Sequence, residues 1–220
     1  MSDADRRRAI LARVRQAVER REAVDHPGAF GGWRPGVSAA KESAAPERPE
    51  AVDRAIASAF ADRFVGAGGQ VAHAADIPAA RRFVTELLQE IGGGAVALGA
   101  GVPPDMVPDV VRERPARAAV GVSMARGAVA ETGSLILDAR DGRAVQLLPP
   151  VHVVLVPSQG MFATLADALA AVGADLPSAV GLHSGPSKSA DIGKILVTGV
   201  HGPGRVVALL VDGLPRAELP

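Results

Sequence analysis

The sequence predicts an α/β domain: a mixed, mostly parallel sheet covered by helices on both faces, preceded by an N-terminal helical extension. Three observations carry this. From about residue 52 onward, stretches with helical apolar spacing alternate with short apolar runs bounded by glycine and proline, the signature of βα units. In the last third, several strand candidates follow one another with nothing between them long enough for a helical crossover, so some antiparallel pairing is expected. Of 220 residues, 48% are hydrophobic, enough for a substantial core and too many for a disordered chain.

In chain order, Ser2 and Asp3 suit the cap of a helix that gathers Ile10, Leu11, Val14 and Val18 on one face, with Arg6, Arg7, Arg8, Arg13, Arg15, Arg20 and Arg21 elsewhere. Residues 1–24 are thus an amphipathic basic helix, suited to packing on its own domain or a neighbouring subunit, or to an acidic surface. Residues 25–50 form a Pro/Gly-rich arm or linker in which Phe30 and Trp33 are candidate anchors. Residues 51–220 form the α/β domain. There Val52, Ile56, Phe60 and Phe64 define a helix that stops in the glycines Gly66, Gly68 and Gly69, and Val71–Ala74 is a strand. Asp76 and Pro78 open a second helix with Ile77, Ala80, Val84, Leu87, Leu88 and Ile91 on its buried face, ending in Gly92, Gly93 and Gly94. Ala95–Leu98, Ala118–Val122, Ser134–Leu137 and Val151–Val156 read as buried strands. Met161, Phe162, Leu165, Leu169 and Val172 read as one helical stripe, followed by strands at 179–182, 194–198 and 205–211.

Composition excludes several function classes. With 24 Lys plus Arg against 24 Asp plus Glu, the chain lacks the basic excess of a general nucleic-acid binder. Without cysteine it can hold neither a disulfide nor a cysteine-ligated zinc or iron–sulfur centre. No apolar run approaches the roughly 18 residues of a membrane span, and residues 1–21 are too charged for a signal peptide; a cytoplasmic protein is expected. Gly99-Ala100-Gly101 follows a strand but is succeeded by Val102, Pro103 and Pro104, so the dinucleotide fingerprint is incomplete.

Three polar, glycine-bearing segments are the candidate chemistry. In His183-Ser184-Gly185-Pro186-Ser187-Lys188-Ser189-Ala190-Asp191-Ile192, a close backbone approach at Gly185, hydroxyls on Ser184, Ser187 and Ser189 and the Lys188 cation together resemble a phosphate or carboxylate cradle. A capped turn, with Asp191 favouring the positive end of a short helix, accounts for the same residues. Glu131, in Ala130-Glu131-Thr132-Gly133-Ser134, is a candidate base, nucleophile or ligand anchor, or a solvated turn residue. His201, in Gly199-Val200-His201-Gly202-Pro203, would share a site with His183 if their strands are neighbours. Their spacing does not match a metal site, and none is expected. His152 reads as packing or sheet-edge polarity.

These segments, together with Leu148-Pro149-Pro150-Val151-His152, occur in an order that resembles the LUD-domain family, within it the lactate utilization C group, from about Val52 to Asp212. The resemblance implies a fold like that of the sugar-phosphate isomerase and CoA-transferase superfamily (NagB/RpiA/CoA transferase-like). It also implies the C component of a three-part system oxidising L-lactate to pyruvate, whose iron–sulfur and other redox centres lie on partner subunits. The expected ligand is a small carboxylate or phosphate, bound through Ser184, Gly185, Ser187, Lys188, Ser189, Asp191, Thr132, Gly133 and His201. A homo-oligomer is compatible with this. Ser123-Met124-Ala125-Arg126-Gly127 departs from the small and acidic residues expected there, so either an acidic group is missing or Arg126 supplies a cation. The competing reading is an independent acyl-CoA-dependent or nucleotide-dependent transferase or ligase using Glu131. A pure interaction module working through residues 1–49 is the third.

Overall fold

A computed structural model of the chain describes residues 5, 9–13, 16, 50–107, 111–173, 176–190 and 196–215. The chain divides into two units, residues 1–39 and 40–220. In the first, residues 5, 9–13 and 16 are helical; Phe30, Trp33 and, in the second unit, Asp191 lie outside the described residues. The second unit runs α1 (Glu50–Gly66), β1 (Gln70–Ala74), α2 (Ile77–Glu90), β2 (Val96–Leu98), β3 (Val120–Val129), β4 (Ser134–Asp138), α3 (Arg143–Leu147), β5 (Val151–Pro157), β6 (Met161–Phe162), α4 (Leu165–Gly173), β7 (Val180–His183), β8 (Lys188–Ala190), β9 (Leu196–Thr198) and β10 (Arg205–Val211).

Eight strands form one sheet in the order β1-β10-β5-β3-β4-β7, with β2 and β6 also paired to β3, while β8 and β9 make a separate hairpin. Pairing is parallel from β1 through β10 and β5 to β3, and from β3 to β2 and β6. It turns antiparallel at β3–β4 and β4–β7, because the four-residue connection after β3 leaves no room for a crossover. The sheet is mixed and mostly parallel, as the sequence predicts.

Central strands β5 and β10 are apolar on both faces except at His152 and Arg205, as strands covered on both sides tend to be. Below one face, Ala80, Val84, Leu87 and Leu88 of α2 pack on Val122, Met124, Val153, Leu155 and Leu209. Asp76 starts this helix by accepting the Ala79 amide at 2.6 Å. Against the other face, Ile56, Phe60 and Phe64 of α1 meet Val154, Val156, Ala208 and Leu210. Phe60 and Phe64 are fully buried and stacked, centroids 5.3 Å apart; each contributes about 1.5–3 kcal/mol through burial.

Strand β3 is longer than its apolar run suggests, since Ser123–Gly127 continue it rather than forming a loop. A register shift between Ala125 and Gly127 marks a bulge at Arg126. Val120–Met124 pair with β2 and β5, and Ala125–Val129, which flank and follow the bulge, with β4 and β6. A Cβ at Gly127 would collide with the Gly160 carbonyl and the Phe162 ring, so this close approach requires glycine. The 161–172 stripe is also corrected: Met161 and Phe162 pair with β3 as β6, and the helix starts only at Leu165. Thr164 sets that start as the N-cap: its Oγ1 accepts the Asp167 amide at 3.1 Å and donates to the Asp167 carboxylate at 2.7 Å.

Candidate functional site

Two of the three polar segments meet the end of α1, and the third packs on Ser187 of the second. Gly133, at φ +61°, packs against Arg63 and the Phe64 amide, and the hydroxyls of Ser134 and Ser184 are hydrogen-bonded at 2.7 Å. Gly185, at φ +132°, leaves room for the Ala67 carbonyl, whose oxygen a Cβ would approach to 3.1 Å. The Lys188 ammonium donates to that carbonyl. The Ser187 amide donates to the Pro203 carbonyl, and the Ser187 carbonyl accepts from Gly199, each at 2.9 Å. Ser189 pairs with Val197 in the β8–β9 hairpin. His201 is exposed on the loop that packs against Ser187, and no hydrogen bond joins it to His183 among the described residues.

The charged groups Lys188 and Glu131 each have an internal partner that explains them. Lys188 satisfies a carbonyl left over at the C-terminus of α1, where a cation is favoured by the helix dipole. Glu131 Oε2 accepts the Leu165 amide at 2.8 Å, so this carboxylate caps the start of α4 beside Thr164. Glu131 lies beside Ala59 and Arg63 in a depression on α1. Lys188 binds at Ala67, about one turn beyond Arg63. Gly204 and Arg205 both donate to the Pro150 carbonyl, which places the Ser187–Pro203 contact at the amino ends of β5 and β10. Ligands of parallel sheets normally sit at the carboxyl ends.

Polar groups that no sequence motif marks are buried elsewhere. Asp138, fully buried at the end of β4, receives Arg140 at 2.7 Å and Arg126 at 3.2 Å. Its burial favours the neutral acid, but the hydrogen bonds from Arg140 and the charges of Arg140 and Arg126 outweigh this and hold the carboxyl below its ordinary range. Arg126 is therefore a cation held by the bulge on a carboxylate inside the fold. Asp141 accepts the Gly101 amide at 2.7 Å and the Met124 amide at 2.9 Å, tying the loop after β2 to β3. A Cβ at Gly99 would overlap the Asp141 carboxylate, which gives the Gly99-Ala100-Gly101 turn a packing role. Burial pushes Asp141 up to about 6 against the pull of those two amides, with the Asp138 charge adding to the rise.

His152 lies inside the sheet and not at its edge. It is 1% exposed, and its Nε2 shares a 2.7 Å hydrogen bond with Ser123 Oγ. Burial, with a smaller effect of the neighbouring His183 charge, lowers its pKa to about 3. His183 is half-buried at the end of β7, and burial lowers its pKa too. At the carboxyl ends of β1, β5 and β10, Asp212 binds Ser158 Oγ at 2.5 Å and His73 Nε2 at 3.0 Å. The carboxylate stands between the imidazole and the hydroxyl, so His73 does not activate Ser158 as a nucleophile.

Residues 104–211 match the model of the LUD domain. The chain carries a LUD domain. The match spans Glu131, Ser184–Lys188 and His201, and also the buried Asp138, Asp141 and His152. Lactate utilization protein C of Exiguobacterium sp. is 37% identical over 115 residues, 49% of this chain and 50% of the relative. Lactate utilization protein C 1 of Bacillus mycoides is 39% identical over 101 residues, 42% of this chain and 43% of the relative. The chain thus matches about half the length of these curated relatives or less. The crystal structure of a DUF162 family protein from Deinococcus radiodurans superposes with a TM-score of 0.56 and 25% identity, over 72% of this chain and 98% of that one. The arrangement of helices and strands around the LUD domain is therefore one that a solved structure also adopts.

Proposed function

We propose that this chain acts in L-lactate utilization, as the C component of a three-part system that oxidises L-lactate to pyruvate, and that it contributes a ligand-binding subunit without a redox centre of its own. The observation that carries the reading is its 34–39% identity to proteins named lactate utilization protein C. The absence of cysteine from all 220 residues supports the division of labour, since iron–sulfur clusters need thiolates that partner subunits would supply.

Growth tests the reading. A strain lacking the gene should fail on L-lactate as sole carbon source, grow normally on pyruvate, and recover with the gene restored. A tagged chain from lactate-grown cells should co-purify with iron–sulfur protein. Normal growth of the deletion strain on L-lactate would overturn the assignment.

A further inference from the structure

Beside β4 and β7 lies a depression of about 220 Å³ whose floor includes Leu137 and Gly181 and whose rim carries Arg143, Gln146, Leu147, Val180 and His183. Sites for drug-sized ligands hold roughly 300–1,000 Å³, so this one suits a molecule of a few heavy atoms. Its polar groups, unlike those at the end of α1, are not consumed by the fold. Arg143 makes no ion pair or hydrogen bond with a described residue, and its guanidinium offers a planar fork for a carboxylate. Gln146 is 4% exposed and donates through Nε2 to the Asp138 carbonyl at 2.9 Å, which fixes the amide and leaves Oε1 as an acceptor. His183 has no hydrogen-bond partner among the described residues. Its ring is neutral at neutral pH, with one nitrogen to donate and one to accept. The nearby Asp138 carboxylate is paired with Arg126 and Arg140, so its charge does not stand open to repel an anion.

We propose that this depression binds a short 2-hydroxy or 2-oxo carboxylate. The carboxylate lies on Arg143, the 2-oxygen meets the His183 imidazole and Gln146 Oε1, and the alkyl end rests on Leu137, Leu147 and Val180. A 2-hydroxyl donates to Oε1 while accepting from the imidazole N–H, and a 2-oxo group keeps only the second bond. The choice of acid rests on the lactate reading above; the site itself rests on the lining groups.

Calorimetry on the full chain with L-lactate, pyruvate and propionate is the test, run alongside growth complementation with the same variants. Saturable binding of L-lactate and pyruvate is expected, with propionate, which lacks the 2-oxygen, about tenfold weaker. Arg143→Ala, a change at an exposed residue, should weaken all three acids about tenfold or more, and Arg143→Lys should recover part of that loss. His183→Phe should erase the preference over propionate. Equal affinity for propionate, no binding of any of the acids, or binding indifferent to both substitutions would overturn the pocket. If growth on L-lactate still requires the chain in that case, the functional reading stands without it. Arg143-dependent binding in a chain that lactate growth does not need would keep the pocket and remove the lactate system.

Discussion

At the scale of single residues, burial decides which polar groups do structural work. Ser123 and His152 are both sealed inside the sheet and meet each other at 2.7 Å. A buried polar atom that loses its partner costs about 1–3 kcal/mol, so Ser123→Ala should lower the unfolding free energy by about that amount. Urea denaturation reads the change, with the midpoint moving and the slope constant. An unchanged midpoint would show that His152 finds another partner or a water. This pair was half legible in the sequence: an apolar run around His152 marks a buried strand. Its partner stands 29 positions away, just past the end of the apolar run 118–122, where Ser123, Arg126 and Gly127 interrupt the apolar pattern of β3. The bulge that lets such residues continue the strand depends on its neighbours β4 and β6, and no local periodicity encodes it.

Among the elements, helix ends explain the charged motif residues Glu131 and Lys188. The local cap at Asp76, three residues before the Ala79 amide it accepts, is readable in the sequence, whereas the equally local Thr164 cap is masked by the apolar Met161 and Phe162 before it. Glu131 caps α4 from 34 positions away, and Lys188 caps α1 from 121 positions away; long-range caps leave no spacing to read, and both residues then resemble catalytic or anion-binding groups. Glu131 separates the two roles experimentally. Glu131→Gln keeps an acceptor for the Leu165 amide, whereas Glu131→Ala removes it and should cost about 0.5–2 kcal/mol, the range for a lost cap. If capping is the whole role, Glu131→Gln should retain both thermal stability and growth on L-lactate. Retained stability with lost growth would assign the carboxylate a chemical part beyond the cap.

For the whole molecule, two buried titrating groups pull stability in opposite directions with pH. His152 titrates near 3 in the folded protein, below the ordinary histidine value of 6.5. Between those values the unfolded chain binds the extra proton, so this residue makes stability fall as pH drops below 6.5. His183, also lowered by burial, acts with the same sign. Asp141 titrates near 6 in the fold against an ordinary 3.8. Between these values the folded chain holds the extra proton, so Asp141 makes stability rise as pH drops through 6 toward 3.8, offsetting about one histidine. Removing its titration with Asp141→Asn, which keeps an oxygen for one of the two amides, should expose the histidine term alone. At about 1.4 kcal/mol for each pH unit, and with Asp141 half-protonated in the fold near pH 6, the variant should lose about 1.5 kcal/mol more than the native protein between pH 6 and pH 4.5. Urea titrations at the two pH values measure the difference. Equal losses in the two proteins would mean that Asp141 is already ionised in the fold throughout this range, and that the Gly101 and Met124 amides outweigh its burial.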